Sequence, residues 1–117
     1  MKQRILTIEL ADRVLNIGRA RRAAATGHYQ GEYLGFSSLE QMSRELTPLR
    51  WALVALLQRG GAMSLRELAR RAERDVKRVH GDAARLLDLG IVERDDQGQL
   101  HVPYAEIHAE FVSRKAA

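Results

Sequence analysis

The sequence predicts an α+β fold organised around residues 64–94. Three observations indicate it. A capping signal opens a short helix at Ser64, a second helix follows a break at residues 73–75, and an apolar β-branched segment then runs into the turn-forming residues 95–98. Helix, tight turn, helix and β-hairpin in this order are typical of a winged helix-turn-helix, in which the second helix enters the major groove of DNA.

The first of these helices begins at Ser64. Ser64 and Glu67 form a predicted capping box, in which the serine hydroxyl accepts the Glu67 amide proton and the Glu67 carboxylate reaches back to the serine amide. Leucine and alanine residues then recur at helical spacing on one face. The opposite face carries Arg66, Arg70 and Arg71, so this helix is predicted to be amphipathic.

The second helix has a cationic outer face. Asp75 is its predicted N-cap and Gly90 its left-handed C-cap. A glycine inside a helix costs about 0.5–1 kcal/mol relative to alanine, so Gly81 suggests that a large partner approaches the backbone there. The residues projected onto this face are Lys77, Arg78, Gly81 and Arg85.

The hairpin, or wing, follows this helix. Residues 91–94 are interpreted as a strand and residues 99–102 as its return. The tip contains Asp95 and Asp96, and acids repel phosphates. We therefore expect a short wing that does not enter the minor groove and leaves only Arg94 near the DNA backbone.

A third core helix precedes the other two. Thr47 is a predicted N-cap and Pro48 suits the first helical position, where no amide hydrogen is missed. The pattern continues to Arg59, with Leu49 on the main apolar face and Trp51 on the other side. A helix that is apolar nearly all round needs a packing partner on each of its two sides. We expect the N-terminal segment or a second subunit to shield Trp51.

Three segments are predicted along the chain. Residues 1–46 form an N-terminal extension for dimerisation or packing: a strand at residues 5–10, a helix at residues 12–27, a second strand at residues 31–37 beside the first, and a short helix capped by Ser38 and Gln41. Residues 47–104 form the winged unit. Residues 105–117 are interpreted as a last strand and tail, with the strand pairing with the N-terminal one; a helix is the alternative.

The charge is placed unevenly. The 117 residues carry a net charge of +4, and residues 47–94 hold ten basic and six acidic side chains, so the whole excess lies on the winged unit. Clustered positive charge indicates a polyanionic partner. The competing explanation is compositional, because an arginine-rich chain with few lysines is also what a GC-rich genome encodes.

Several function classes are not expected. The chain has no Cys, which excludes disulfides, thiolate zinc sites and a cysteine nucleophile. Its four histidines form no metal-binding spacing, and no catalytic motif is present, so we expect neither a metal, nor another cofactor, nor enzymatic activity. There is no apolar run long enough to span a membrane and no signal sequence, which favours a cytoplasmic protein.

Part of the sequence resembles a known family. Ser64-x-x-Glu67-Leu68-Ala69, Val79 and the string Leu86-x-x-Leu89-Gly90-Ile91-Val92-Glu93-Arg94 resemble the DNA-binding domain of MarR-like winged-helix transcriptional regulators, over about residues 47–104. More narrowly, residues 74–80 with Val102-Pro103-Tyr104 are similar to small predicted regulators of bacteria and archaea, some of them encoded beside toxin genes.

These observations predict a sequence-specific regulator of transcription. We expect a homodimeric repressor that binds an inverted repeat in double-stranded DNA. Lys77, Arg78 and Arg85 would read bases or clamp phosphates, and the other cations would position the domain on the backbone: Arg66, Arg70, Arg71 and Arg74. The alternative is an antitoxin-type module that binds a toxin or other partner protein, and DNA only secondarily. A third possibility is an architectural or viral DNA binder without sequence preference.

Overall fold

The computed structural model describes residues 3–10, 31–110 and 115, and over these residues the chain is α+β. It separates into a sheet unit, formed by residues 1–44 and 104–117, and a helical unit, formed by residues 45–103. The described elements in chain order are β1 (Ile5–Leu10), β2 (Glu32–Phe36), α1 (Leu39–Glu45), α2 (Pro48–Gly60), α3 (Leu65–Ala72), α4 (Val76–Leu89), β3 (Glu93–Arg94), β4 (Leu100–His101) and β5 (Glu106–Glu110).

The sheet unit contains a parallel sheet with the strand order β2-β1-β5. Leu6 of β1 is in register with Glu32 of β2 and with Ile107 of β5. The predicted second strand beside the first is confirmed, and so is the strand, rather than helix, after residue 105. Because β5 pairs with β1, the C-terminal residues belong to the same unit as the N-terminal ones. The helix predicted at residues 12–27 lies outside the described residues.

Arg4, just before β1, contacts residues at the beginnings of β2 and β5. Its Nε and Nη2 donate to the Glu32 carboxylate at 2.9 and 2.8 Å, and its guanidinium lies 4.9 Å from the centre of the Tyr104 ring. Its carbonyl accepts the amide proton of Ala105 at 2.7 Å. One residue before β1 therefore contacts the starts of both neighbouring strands, through a charge-assisted pair and a cation–π contact.

Ser38 caps α1 as predicted, but the Gln41 side chain bonds to Ser37 and not to the Ser38 amide. The Ser38 hydroxyl accepts the Gln41 amide proton at 3.1 Å, whereas the Gln41 side-chain oxygen accepts from the amide and hydroxyl of Ser37, both at 2.9 Å. The side chain thus reaches one residue further back than a capping box requires.

The caps of the helical unit are those that the sequence predicts. Thr47, Ser64 and Asp75 each cap a helix through a side-chain oxygen, and Gly90 ends α4 in the left-handed conformation, with φ 80°. One expected bond differs. The Glu67 carboxylate binds Arg70 and Arg71 instead of the Ser64 amide, because two cations one turn away are stronger donors than a backbone N–H.

The core of the helical unit is aliphatic. Leu53 of α2, Leu68 of α3 and Val79 of α4 are all at most 1% exposed, and Ile91 and Leu100 of the hairpin segment join them. Leu49 was expected on the buried face of α2, but it is 55% exposed. It lies in the first turn, where it lines open grooves. Trp51 is half-buried.

The hairpin is short and is joined to the helices by one bridge. Its two strands have two residues each and pair antiparallel, with Glu93 opposite His101. Met63, just before α3, exchanges two backbone hydrogen bonds with Leu100, at 3.0 and 2.8 Å. The Asp95 side chain organises the turn by accepting the amide protons of Gln97 and Gln99, both at 2.9 Å.

Candidate nucleic-acid interface

Helix α4 is fixed at its start and along its inner side. The Asp75 carboxylate accepts the amide protons of Lys77 and Arg78 at 3.1 and 3.3 Å. Three aliphatic side chains of the inner side are buried: Val79, Ala83 and Leu86. The 14 residues of α4 span about 21 Å at 1.5 Å per residue, so the opposite side presents a rigid surface of that length.

The outer face of α4 comprises Lys77, Arg78, Gly81 and Arg85. Lys77 and Arg78 are exposed, and no described residue forms an ion pair with either side chain. A Cβ atom placed on Gly81 would meet nothing within 4 Å, so packing within the chain does not require a glycine at this position. The structure therefore shows two unpaired cations beside an open stretch of helix backbone.

The cations of α3 are more engaged. Arg66 is exposed and has no ionic partner among the described residues, whereas Arg70 and Arg71 share the Glu67 carboxylate. Hydrogen bonds from Arg70 and then Arg71 lower the pKa of Glu67 to about 2. The carboxylate is therefore ionised at neutral pH, and it cancels one of the two positive charges.

An ionic network that the sequence did not predict lies along the side of α4 that faces the start of α2. It consists of Asp82 and Arg85 of α4, Glu45 and Arg50 around the start of α2, and Arg74 of the turn. Asp82 is its centre: one carboxylate oxygen lies 3.0 Å from Arg50 Nε and the other 2.7 Å from Arg74 Nη2. All three side chains are at most 20% exposed, so these ion pairs are shielded from water.

Glu45 extends this network to the other side of Arg50. The Arg85 guanidinium donates to the Glu45 carboxylate at 2.5 and 3.0 Å, and Arg50 Nη1 donates to the Glu45 carbonyl at 2.8 Å. Asp82 of α4 is thus bound to the first turn of α2, and Arg85 of α4 to the last residue of α1. Arg50 is bound to both acids and is the link between the two pairs.

The Asp82 carboxylate is held in its ionised form. Burial raises the pKa of Asp82, but the hydrogen bonds from Arg74 and Arg50 outweigh burial and hold the pKa below its ordinary value of 3.8. The network therefore keeps its charges throughout the neutral range.

Some of the predicted site residues line an open groove, and some of them are bound by acids of the helical unit. Lys77, Arg78, Gly81 and Arg74 line one open groove of about 520 Å³ beside the start of α2. Arg74 and Arg85, however, are bound inside the unit by Asp82 and Glu45. Arg94 is exposed and donates to the carbonyl of Gly98 in its own turn, at 3.1 Å.

Sequence reasoning missed Glu45 and Arg50. Arg50 lies 32 residues from Asp82, and Glu45 lies 40 residues from Arg85. No spacing rule connects residues so far apart. The one available signal is the alternation of Asp82 and Arg85 at an i,i+3 spacing, which indicates that α4 offers charges of both signs to a neighbour.

Among residues 3–10, 31–110 and 115, no group of three His, Asp or Glu side chains could hold a metal ion. No described helix is long and apolar enough to cross a membrane.

Comparison with known proteins gives one match. A family model described as HVO_A0114 matches residues 45–109, which is more than half of the chain and includes the whole helical unit. No curated protein and no solved structure matches the sequence.

The first prediction concerns the centre of the ionic network. Asp82→Asn should lower the free energy of unfolding by about 1–3 kcal/mol, because it removes the charged acceptor of the largely buried Arg74 and leaves Arg50 with Glu45 alone. Urea unfolding measures the change. The control is Asp88→Asn, since Asp88 is 71% exposed and lies 3.7 Å from Arg85; its effect should stay within about 0.5 kcal/mol.

The pH dependence of that difference has a definite sign. Because the folded pKa of Asp82 is lowered, its contribution is present above the ordinary value of 3.8 and is lost as the pH falls through the folded pKa. The gap in stability between the native protein and Asp82→Asn should therefore shrink below about pH 4. A gap that stays constant or widens down to pH 2 would contradict the role assigned to the Asp82 charge.

Proposed function

The chain belongs to the HVO_A0114 family, and we propose that the helical unit covered by the family model is a winged helix-turn-helix that binds double-stranded DNA. The element order supports this fold: α2, α3 and α4 are followed by the β3-β4 hairpin. The Met63–Leu100 bridge supports it too, because it supplies a third short strand in front of α3. In this arrangement α4 is the recognition helix.

The observation that carries the proposal is the open backbone at Gly81, which lies one turn after the exposed cations Lys77 and Arg78. A helix with its side chains is about 10–12 Å wide and the major groove about 12 Å, so a recognition helix fits with little clearance. A residue without a side chain at the centre of the contact lets the helix sit deeper. Lys77 and Arg78 then lie beside base edges and phosphates, where each neutralised phosphate releases counterions.

The other cations take supporting roles in this proposal. Arg66 and Arg70 lie exposed on α3, and they position the domain on the DNA backbone. Arg74 and Arg85 hold α4 in place through Asp82 and Glu45. Asp88 is exposed near the C-terminal end of α4 and repels phosphates, so the contact is concentrated at the N-terminal half of the helix.

At the level of the cell, we propose a cytoplasmic transcriptional repressor that acts as a homodimer on an inverted repeat. One α4 reads one half-site, and two copies related by a two-fold axis read half-sites about 34 Å apart, or one turn of DNA. A duplex selected by the protein from a random pool tests this part: the full repeat should bind more tightly than a duplex carrying a single half-site.

The second prediction separates folding from binding at Gly81. Gly81→Ala should raise the free energy of unfolding by about 0.5–1 kcal/mol, since alanine favours a helix and its Cβ meets nothing within 4 Å. The same methyl group should weaken binding of the selected duplex by about tenfold, because it holds the helix away from the groove. Thermal unfolding and fluorescence anisotropy measure the two effects.

A matched control for Gly81→Ala is Gln58→Ala, at an exposed position of α2 away from the outer face of α4. It should leave duplex affinity within about twofold of the native value. If Gly81→Ala bound the duplex as tightly as the native protein, the outer face of α4 would not be the docking surface.

The third prediction separates base reading from phosphate contact. Arg78→Ala should weaken the free energy of binding to the selected duplex by about 1–3 kcal/mol and make the protein less specific for that sequence. Arg70→Ala should weaken binding of duplexes of every sequence to the same extent, and it should reduce the slope of log affinity against log salt by about one unit. Anisotropy titrations with selected and scrambled duplexes at several salt concentrations make the comparison. Native behaviour of both variants would show that these faces were misassigned.

A further inference from the structure

A second surface of the helical unit is apolar. An open groove of about 440 Å³ lies between α2 and α3 and is lined by six aliphatic residues and three arginines. Leu53 forms part of its wall, and Leu49, which is 55% exposed, is a large apolar side chain left in water at its edge. Exposed apolar surface gathered in a groove marks an interaction site more often than scattered single residues do.

Of the three arginines that line this groove, Arg71 is paired with Glu67 and Arg74 with Asp82. Arg59 is exposed and forms no ion pair with any described residue. Arg71 is held in place at the groove: its Nε donates to Glu67, and a Cβ atom at Gly60 would collide with its guanidinium. Gly60 thus leaves room for a cation beside an aliphatic floor.

The chemistry of the groove selects its occupant. Residues 11–30 contain four arginines and one acid. Residues 111–117 contain one arginine, one lysine and no acid. Both segments are therefore positively charged, as the groove is. A nucleic acid matches the charge but leaves the aliphatic floor in water. A helix with leucine-type side chains on one face and carboxylates beside them matches both.

We propose that this groove binds an acidic amphipathic helix of a partner protein. Apolar side chains on one face of the partner helix pack on Leu49, Ala52 and Leu56, and carboxylates flanking them pair with Arg59. The proposal does not depend on DNA binding: Leu49 and Arg74 also line the groove beside the outer face of α4, but Leu56 and Arg59 line only the groove between α2 and α3.

The fourth prediction uses a designed peptide as the probe. It is a labelled helix of about 15 residues with leucines at i, i+4 and i+7 and glutamates beside them; its partner peptide has the same leucines with lysines in place of the glutamates. Fluorescence anisotropy should show that the full-length protein binds the acidic peptide about tenfold more tightly than the basic one.

Single substitutions place the peptide in the groove. Leu49→Asp should weaken binding of the acidic peptide by about tenfold, because the leucine that the peptide would cover is lost and the added carboxylate repels those of the peptide. Arg59→Glu should reverse the preference between the two peptides. Arg66→Glu makes the same charge change outside the groove and should alter affinity by no more than about twofold. Thermal unfolding of each variant verifies that it is folded.

Three results would overturn the proposal. In the first, the acidic and basic peptides bind equally, or neither binds up to about 1 mM, the weak end of measurable affinity. In the second, Leu49→Asp dissociates a dimer of the native protein, which would assign the groove to a second copy of this chain. In the third, Arg59→Glu weakens binding of duplex DNA as much as it weakens binding of the acidic peptide.

Discussion

The Asp82 carboxylate is the contact on which the helical unit depends. It lies on α4, yet both of its oxygens are used by arginines from elsewhere, Arg50 of α2 and Arg74 of the turn before α4. Aliphatic packing through Val79 and Leu86 pulls α4 against its neighbours, but apolar contact has little directional preference. Two charge-assisted bonds to fixed partners set the rotation of α4 about its own axis, and therefore which residues face outward.

That arrangement sorts the positive charge of the unit into two kinds. Arg50, Arg74 and Arg85 share the two acids of the network, whereas Lys77, Arg78 and Arg66 have no ionic partner among the described residues. Net charge alone does not reveal the division. A cation that is already paired and shielded gains little from a phosphate, so the attraction for a polyanion is concentrated on the unpaired ones.

The sequence predicted what is encoded locally and missed what depends on distant partners. The N-caps at Thr47, Ser64 and Asp75, the left-handed Gly90 and the last strand after residue 105 are all confirmed, because each depends on residues a few positions apart or on simple alternation. The network could not be predicted, since Glu45 and Arg85 meet only after α2 and α4 have packed. Leu49 fits the apolar stripe of α2, but the neighbouring helices do not cover its first turn.

Gly81 and Asp82 are adjacent in sequence and have opposite effects on the helix that carries them. Gly81 weakens α4 by about 0.5–1 kcal/mol relative to alanine, and the built Cβ position shows that no contact within the chain demands this loss. Asp82 restrains the same turn through Arg50 and Arg74, which line the same groove as Gly81. These two ion pairs hold the turn in place although Gly81 has no side chain. A backbone left open on a helix so firmly held is better explained by an approaching partner than by a need for flexibility.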